Sequence, residues 1–174
     1  MKEGIEMPTL TIKDTNYDLK CSIMLDKVLN KVIPEEKSKD KDVPQKEKVS
    51  GGFSKLLPLL IEQDFEGLLY LWESAIKLTT KKPPTQDEIL TAIDQRMDEE
   101  NDATALFSEV FDAIDESAFS RNEFAKFKKN MLLVKEMKRK DEEEEQKTAL
   151  MLKRLADGYK EITGLELFEE KVKA

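Results

Sequence analysis

The side chains that most often carry enzyme chemistry are scarce in this sequence. It contains no histidine, which removes the commonest general base and the commonest metal ligand. Its one cysteine, Cys21, cannot form an internal disulfide or a cysteine-based zinc site. Gly51-Gly52 is not followed by the Gly-Lys-Ser/Thr of a phosphate-binding loop. These features indicate a non-enzymatic protein with no cofactor and no catalytic or metal-binding residues.

Acidic side chains form clusters that could do acid–base chemistry only if burial separated their pKa values. The clusters are Asp98–Glu100, Asp112 with Asp115 and Glu116, and Asp141–Glu145. All of them lie in charge-rich stretches. We therefore interpret them as solvated helix faces.

The composition bounds the class of protein. The chain has 174 residues, with 29 basic and 37 acidic side chains and a net charge of −8, which suits one domain with appendages. No apolar run approaches the roughly eighteen residues of a membrane span, and the N-terminus lacks the pattern of a secretion signal. We expect a soluble protein that contacts no membrane.

Charge is distributed unevenly along the chain. Residues 84–118 hold eleven acids and one base, whereas residues 119–140 hold eight bases and two acids. Segments of opposite charge can pair within one chain or between copies, and both alternatives stay open. Surface ion pairs contribute only about 0–1 kcal/mol each, so pairing would set orientation more than stability. Because the basic block is short and the protein is acidic, we expect no nucleic-acid partner.

A β-hairpin is predicted over residues 9–23. Residues 9–13 and 17–23 alternate apolar and polar side chains around turn-forming residues 14–16. The predicted buried face consists of Leu10, Ile12, Tyr17, Leu19 and Cys21. An isolated hairpin is marginally stable, so it must pack on helices or extend a sheet with another copy.

Helical periodicity follows the hairpin. A helix over residues 24–33 is predicted to end at Pro34. Residues 34–50 are predicted to be a flexible loop, because they hold ten charged side chains and little apolar surface to offset the entropy of ordering. Further helices are predicted over residues 53–131. Their predicted starts include Asp64, the capping box Thr85–Glu88 and a second candidate capping box, Ser120–Glu123.

Residues 53–78 are the most apolar segment. A helix that is apolar around much of its circumference is either buried or faces a partner, and both alternatives stay open. The candidate partner-binding residues in this segment are Leu56, Leu60, Leu68, Leu69, Tyr70 and Leu71.

The C-terminal part is predicted to be a charged helical extension. Residues 138–146 contain no apolar side chain, and Leu152, Leu155 and Tyr159 then follow at steps of three and four. This helix either lies on its own domain or binds a partner. In the second case, these three residues are candidate partner-binding residues.

The predicted fold class is therefore mainly α with a small N-terminal β-hairpin (α+β), as a helical bundle plus an extended C-terminal helical tail. Residues 1–131 are predicted to form the core, and residues 132–174 the charged helical extension.

The order of these pieces resembles a known protein family. The residues that carry the resemblance are Met7-Pro8-Thr9-Leu10-Thr11-Ile12-Lys13, Tyr17-Asp18-Leu19, Gly51-Gly52-Phe53, Asp64-Phe65-Glu66-Gly67-Leu68 and Lys82-Pro83-Pro84-Thr85. Over roughly residues 7–131, the chain resembles the tail assembly chaperones of long-tailed bacteriophages and prophages that infect Gram-positive bacteria.

The resemblance implies a binding function. Members of the family bind the tape measure protein and keep it soluble until the tail tube polymerises around it. They act in the host bacterial cytoplasm and are not retained in the mature virion. The implied partners are the tape measure protein and, as a second candidate, the major tail protein. A holder for a long client needs several copies, so we expect a homo-oligomer. The alternative function is a structural or adaptor component of a phage tail or head-completion complex.

Overall fold

A computed structural model describes residues 7–34 and 51–168. These residues form one two-stranded antiparallel sheet and seven helices. In chain order, the elements are β1 (Thr9–Ile12), β2 (Thr15–Asp18), α1 (Ile23–Val32), α2 (Gly52–Ile61), α3 (Phe65–Lys77), α4 (Gln86–Glu100), α5 (Ala103–Glu116), α6 (Ala118–Glu136) and α7 (Glu142–Thr163). The predicted fold class, mainly α with a small N-terminal hairpin, is confirmed.

The hairpin turns earlier than predicted. Ile12 pairs with Thr15, so the loop consists of Lys13 and Asp14, whose φ angles are 46° and 64°. Two-residue loops with positive φ match the right-handed twist of the strands they join. The predicted turn at residues 14–16 is wrong, because Thr15 and Asn16 belong to β2.

One face of the hairpin covers the core. Its buried side chains are Leu10, Ile12, Leu19 and Cys21. Tyr17 is half-buried against the same cluster, so the predicted face is confirmed. The guanidinium of Arg96 on α4 donates a 2.6 Å hydrogen bond to the carbonyl of Thr9. Arg96 also pairs with Glu109 on α5, so one side chain connects the hairpin to two helices.

The start of α2 depends on α1. Its N-cap residue, Gly51, has no side chain to offer, and the carboxylate of Asp26 on α1 accepts a 2.8 Å hydrogen bond from the Phe53 amide. A Cβ atom on Gly52 would lie 2.3 Å from the Asp26 carbonyl oxygen and 2.4 Å from the Cβ of Leu29. Glycine is therefore needed for α1 and α2 to approach this closely.

Side-chain caps occur at two of the predicted helix starts. The carboxylate of Asp64 accepts a 2.9 Å hydrogen bond from the Glu66 amide at the start of α3. Thr85 and Glu88 form the predicted capping box of α4. The predicted loop at residues 34–50 lies outside the described residues, apart from Pro34.

The second predicted capping box is wrong. α6 begins at Ala118, three residues before the start that Ser120–Glu123 would have given. Ser120 is buried inside the helix, and its hydroxyl donates a 2.6 Å hydrogen bond to the Ile114 carbonyl. Ser120 therefore links the end of α5 to the start of α6 through this hydrogen bond instead of capping α6.

The hydrophobic core is centred on α2 and α3. These two helices pack on each other and on α1, while α2 also contacts α6 and α7 and α3 contacts α4. Phe53 and Phe107 are its largest fully buried side chains. The ring of Phe53 meets that of Phe119 edge to face, with 6.0 Å between centroids, an arrangement that aromatic quadrupoles favour.

The C-terminal helix α7 lies along α2, α5 and α6. The predicted boundary at residue 131 falls inside α6, which continues to Glu136. A Cβ atom on Gly158 would lie 2.3 Å from the carbonyl oxygen of Ile61. The glycine therefore lets α7 approach the backbone at the end of α2.

Replacing Gly158 with alanine is expected to loosen α7 from α2. Alanine favours a helix over glycine by about 1 kcal/mol, so local preference alone predicts a gain. Because the added Cβ would meet backbone rather than a flexible side chain, we expect a net loss of about 1–2 kcal/mol instead. Urea unfolding measures the change. The exposed neighbour variant Asp157→Ala is the control and should stay within about 0.5 kcal/mol of wild type. A Gly158→Ala protein more stable than wild type would contradict the close approach.

Candidate partner-binding surface

The candidate residues on α2 and α3 lie in the core. Leu56, Leu60, Leu68 and Leu71 are fully buried, and Leu69 is 8% exposed. Tyr70 is half-buried, and its hydroxyl donates a 3.5 Å hydrogen bond to a Glu66 carboxylate oxygen. In this conformation the five leucines contact their own chain, so meeting a partner through them would require α2 and α3 to separate.

The candidate residues on α7 are also buried. Leu152, Leu155 and Tyr159 are at most 7% exposed. The ring of Tyr159 meets the rings of Phe111 on α5 and Phe124 on α6, each with 5.5 Å between centroids. Of the two alternatives left open for this helix, the described conformation is the one in which it lies on its own domain.

A group of exposed apolar side chains lies at the end of α6 and in the middle of α7. Leu133 is 53% exposed and Met137 is 56% exposed, while Leu150 and Met151 on α7 are 51% and 40% exposed. These residues are not among the candidates that the sequence pattern indicated. Their signal is that, at about 100° per residue, Leu133 lies about 120° around the helix from Phe127, and Leu150 and Met151 lie about 160° and 100° from Leu152.

A groove lies between the end of α6 and α7. Its volume is about 360 Å³. Its apolar lining consists of Val134, Met137, Ala149, Leu152, Ala156 and Phe168. Ligand sites in proteins are usually apolar clefts of about 300–1,000 Å³ with a few polar groups, so this groove can receive one or two aliphatic side chains.

The charged side chains around this groove are mainly basic. Lys135, Arg139 and Lys153 line it, against one acid, Glu145. The Lys135 ammonium lies 5.9 Å from the centroid of the Phe168 ring. The Nη2 of Arg139 donates a 3.3 Å hydrogen bond to the Val134 carbonyl, while its buried Nε has no hydrogen-bond partner. We call these residues and the apolar lining the basic groove.

The acidic and basic segments are not joined by ion pairs within the chain. Among the described residues, no ion pair connects residues 84–118 with residues 119–140. Lys126 pairs with Glu123 on its own helix. Arg121 donates a hydrogen bond to the backbone carbonyl of Asp115 rather than to a carboxylate. Of the two predicted alternatives, pairing between copies stays open.

The outer edge of β2 is a second candidate binding surface, but it is less suited to binding a partner than the basic groove. Because Leu19 bonds to Pro8 across the hairpin, alternation turns the backbone groups of Asn16 and Asp18 away from β1. They border a cleft of about 610 Å³ that reaches Thr79 and Thr80. The strand is four residues long, and short edges with charged side chains disfavour the addition of another strand.

The described residues show little that would support catalysis. Burial raises the pKa of the Cys21 thiol to about 12, so the reactive thiolate is nearly absent at neutral pH. Hydrogen bonds from Lys13 and from the Thr85 amide hold the pKa of Glu88 below its ordinary value, which fits its role in the capping box. In residues 7–34 and 51–168, no group of acids and cysteine has the geometry to hold a metal ion. No helix in these ranges is long and apolar enough to cross a membrane.

Comparison with known families gives a match over most of the chain. The family model described as phage tail assembly chaperone protein matches residues 9–129, which run from the start of β1 into α6. No curated protein and no solved structure matches the chain. The matched region contains the hairpin, α1 to α5 and most of α6, so the resemblance found from the sequence is confirmed. The chain therefore belongs to the phage tail assembly chaperone family.

Proposed function

We propose that this protein binds the tape measure protein of a long-tailed phage and keeps it soluble in the bacterial cytoplasm while the tail assembles. We also propose that it is absent from the finished virion. Membership of the chaperone family over residues 9–129 is the observation that carries the proposal. Sheltering a client is a binding function, which requires no catalytic group, cofactor or metal. The major tail protein is the second candidate partner.

The protein's surface supports a sheltering role. Exposed Leu133, Leu150 and Met151 offer apolar contact on α6 and α7, and each Å² of apolar surface that a client covers contributes about 25 cal/mol. The net charge of −8 opposes aggregation of the complex. We propose these three residues as client contacts. Leu152, Leu155 and Tyr159 then act indirectly, by holding α7 in place.

Coexpression with the tape measure protein encoded in the same genome tests the proposal. With the wild-type chain, we expect the tape measure protein in the soluble fraction and in a purified complex. The Leu133→Asp/Leu150→Asp variant should reduce the soluble fraction severalfold, because two carboxylates replace apolar contacts. The control is Leu78→Asp, which makes one Leu→Asp change at a 41% exposed site after α3 and should behave like wild type.

Three outcomes would overturn the proposal. The first is a tape measure protein that is equally soluble without the chaperone. The second is a folded Leu133→Asp/Leu150→Asp variant that works as well as wild type. The third is recovery of the chain in purified phage particles by mass spectrometry, which would instead support the structural or adaptor role.

A further inference from the structure

The basic groove carries charge that its own chain does not neutralise. Three bases, Lys135, Arg139 and Lys153, line it against one acid, Glu145. Within residues 7–34 and 51–168, none of these bases takes part in an ion pair. The Arg139 Nε has no hydrogen-bond partner, so a carboxylate toward which Arg139 turns would gain a charged hydrogen bond that the free conformation lacks. The groove therefore favours an acidic ligand.

The shape of the groove favours a helix as the occupant. Its lining residues on α7 follow one another at steps of three and four and therefore share one face of that helix. They are Glu145, Thr148, Ala149, Leu152, Lys153 and Ala156. At about 1.5 Å per residue, this face extends for about 16 Å. An extended segment would leave backbone groups without hydrogen-bond partners against the apolar lining, whereas a helix satisfies them internally.

We propose that the basic groove binds an amphipathic helix whose aliphatic side chains are flanked by carboxylates. One or two aliphatic side chains fill the volume of about 360 Å³, and acidic side chains on the same helix face meet the three bases. That this helix belongs to the client rests on the proposed function. Leu133 and Leu150, already proposed as client contacts, are the sequence neighbours of the lining residues Val134 and Ala149.

This contact gives the groove a selective role. Exposed leucines offer apolar contact to any client segment, whereas the three bases attract a helix with carboxylates and repel a helix with ammonium groups. Exposed ion pairs are individually weak and are screened by salt. The groove should therefore choose between client segments by their charge, and the choice should be sharpest at low ionic strength.

Peptide binding to the full-length protein gives the first test. The probe is a fluorescent helical peptide of alanine and glutamine with two leucines one turn apart and a glutamate beside each leucine on the same face. The control peptide differs only by lysines in place of the glutamates. Fluorescence anisotropy should show the glutamate peptide binding at least about tenfold more tightly at low salt, with a smaller difference at about 0.5 M salt. Equal binding of both peptides, or no binding of the glutamate peptide, would overturn the proposal.

Two variants test the charge and the space of the groove separately. The charge variant carries Lys135→Glu and Arg139→Glu, and it should reverse the preference, so that the lysine peptide binds more tightly than the glutamate peptide. The filled variant carries Ala149→Phe at an exposed lining position. It should bind the glutamate peptide at least about tenfold more weakly than wild type, because the ring takes the place of an incoming side chain. Unchanged peptide binding by both folded variants would place the peptide elsewhere and overturn the proposal.

Matched controls separate the groove from net charge and from added aromatic surface. Lys138→Glu with Arg154→Glu reverses two exposed bases that do not line the groove, and Gln146→Phe adds a ring at an exposed position of α7 outside it. Both controls should bind the two peptides like wild type. The proposal fails if the controls change peptide binding as much as the groove variants do.

Coexpression with the tape measure protein connects the groove to the client. The charge variant should lower the soluble fraction of the tape measure protein severalfold, although Leu133 and Leu150 are unchanged. If this variant loses the glutamate peptide but keeps the tape measure protein soluble, the proposed function stands and the role of the groove in client binding fails. If the wild-type chain binds the glutamate peptide selectively but does not keep the tape measure protein soluble, the proposed function fails and the preference of the groove stands. A folded charge variant that self-associates less but binds both peptides like wild type would show that a second copy occupies the groove, which would overturn the proposal.

Discussion

Replacing Leu68 with aspartate is expected to unfold the protein. The side chain is fully buried within α3, and removing a buried leucine costs about 2–5 kcal/mol through lost burial and cavity formation. An aspartate there would also need to stay protonated or bury a charge without a partner, at a cost of several kcal/mol more. The sum approaches the whole stability of a typical domain, about 5–15 kcal/mol. Far-UV circular dichroism with urea titration measures it.

The control for this experiment is the same substitution at an exposed leucine. Leu133→Asp changes a side chain that is 53% exposed, so we expect stability within about 0.5 kcal/mol of wild type. Comparing the two variants also separates two causes of lost client binding. Leu68→Asp would abolish binding by unfolding the protein, whereas Leu133→Asp would weaken it by removing exposed apolar surface. A folded Leu68→Asp protein of wild-type stability would show that the core assignment is wrong and would restore Leu68 as a surface contact.

Replacing Gly52 with alanine is expected to destabilise the protein by about 3 kcal/mol. Its Cβ would lie 2.3 Å from the Asp26 carbonyl oxygen and 2.4 Å from the Leu29 Cβ. Neither is the far end of a flexible side chain, so α1 and α2 must move apart. That movement also lengthens the Asp26 hydrogen bond to the Phe53 amide. Helix preference alone would predict a gain in stability of about 1 kcal/mol. The sign of the change in the free energy of unfolding therefore shows whether α1 and α2 pack this closely.

Gly51 provides an adjacent control. A Cβ atom there would lie 3.5 Å from the nearest Asp26 carboxylate oxygen, an ordinary contact, and its φ of 162° is extended backbone that any residue adopts. Gly51→Ala should therefore change the free energy of unfolding by no more than about 0.5–1 kcal/mol. Equal stability of the two alanine variants would mean that α1 and α2 do not pack this closely. Hydrogen exchange at the Phe53 amide should be faster than in wild type for Gly52→Ala but not for Gly51→Ala.

The local sequence pattern was sufficient to predict which helices and strands form, but not to predict the residues at which they begin and end. Alternation along the hairpin correctly assigned Leu10 and Leu19 to the core, because burial on one face imposes a period of two. It did not locate the turn, since Asp14, Thr15 and Asn16 are all turn formers and strand register decides between them. Similarly, Ser120–Glu123 fits a capping box, but the hydroxyl of Ser120 bonds to the Ile114 carbonyl, a contact made only once α5 and α6 meet.

The candidate partner-binding surface required information that no local pattern contains. The leucines of residues 53–78 fit either burial or a partner, and their burial depends on α1, α4, α6 and α7 covering α2 and α3 together. The basic groove likewise exists only because α7 lies beside the end of α6. From the sequence, Lys135 and Arg139 were part of a basic block, and their nearness to Leu152 and Phe168 could not be derived from spacing.

The burial of Cys21 makes site-specific labelling straightforward. Its raised pKa leaves it almost unreactive toward maleimide dyes at neutral pH, whereas an exposed cysteine ionises near pH 8.5. A second cysteine introduced by Lys138→Cys would therefore take up a fluorophore selectively, without removal of the native thiol. Energy transfer between donor- and acceptor-labelled copies would then test whether copies associate in solution.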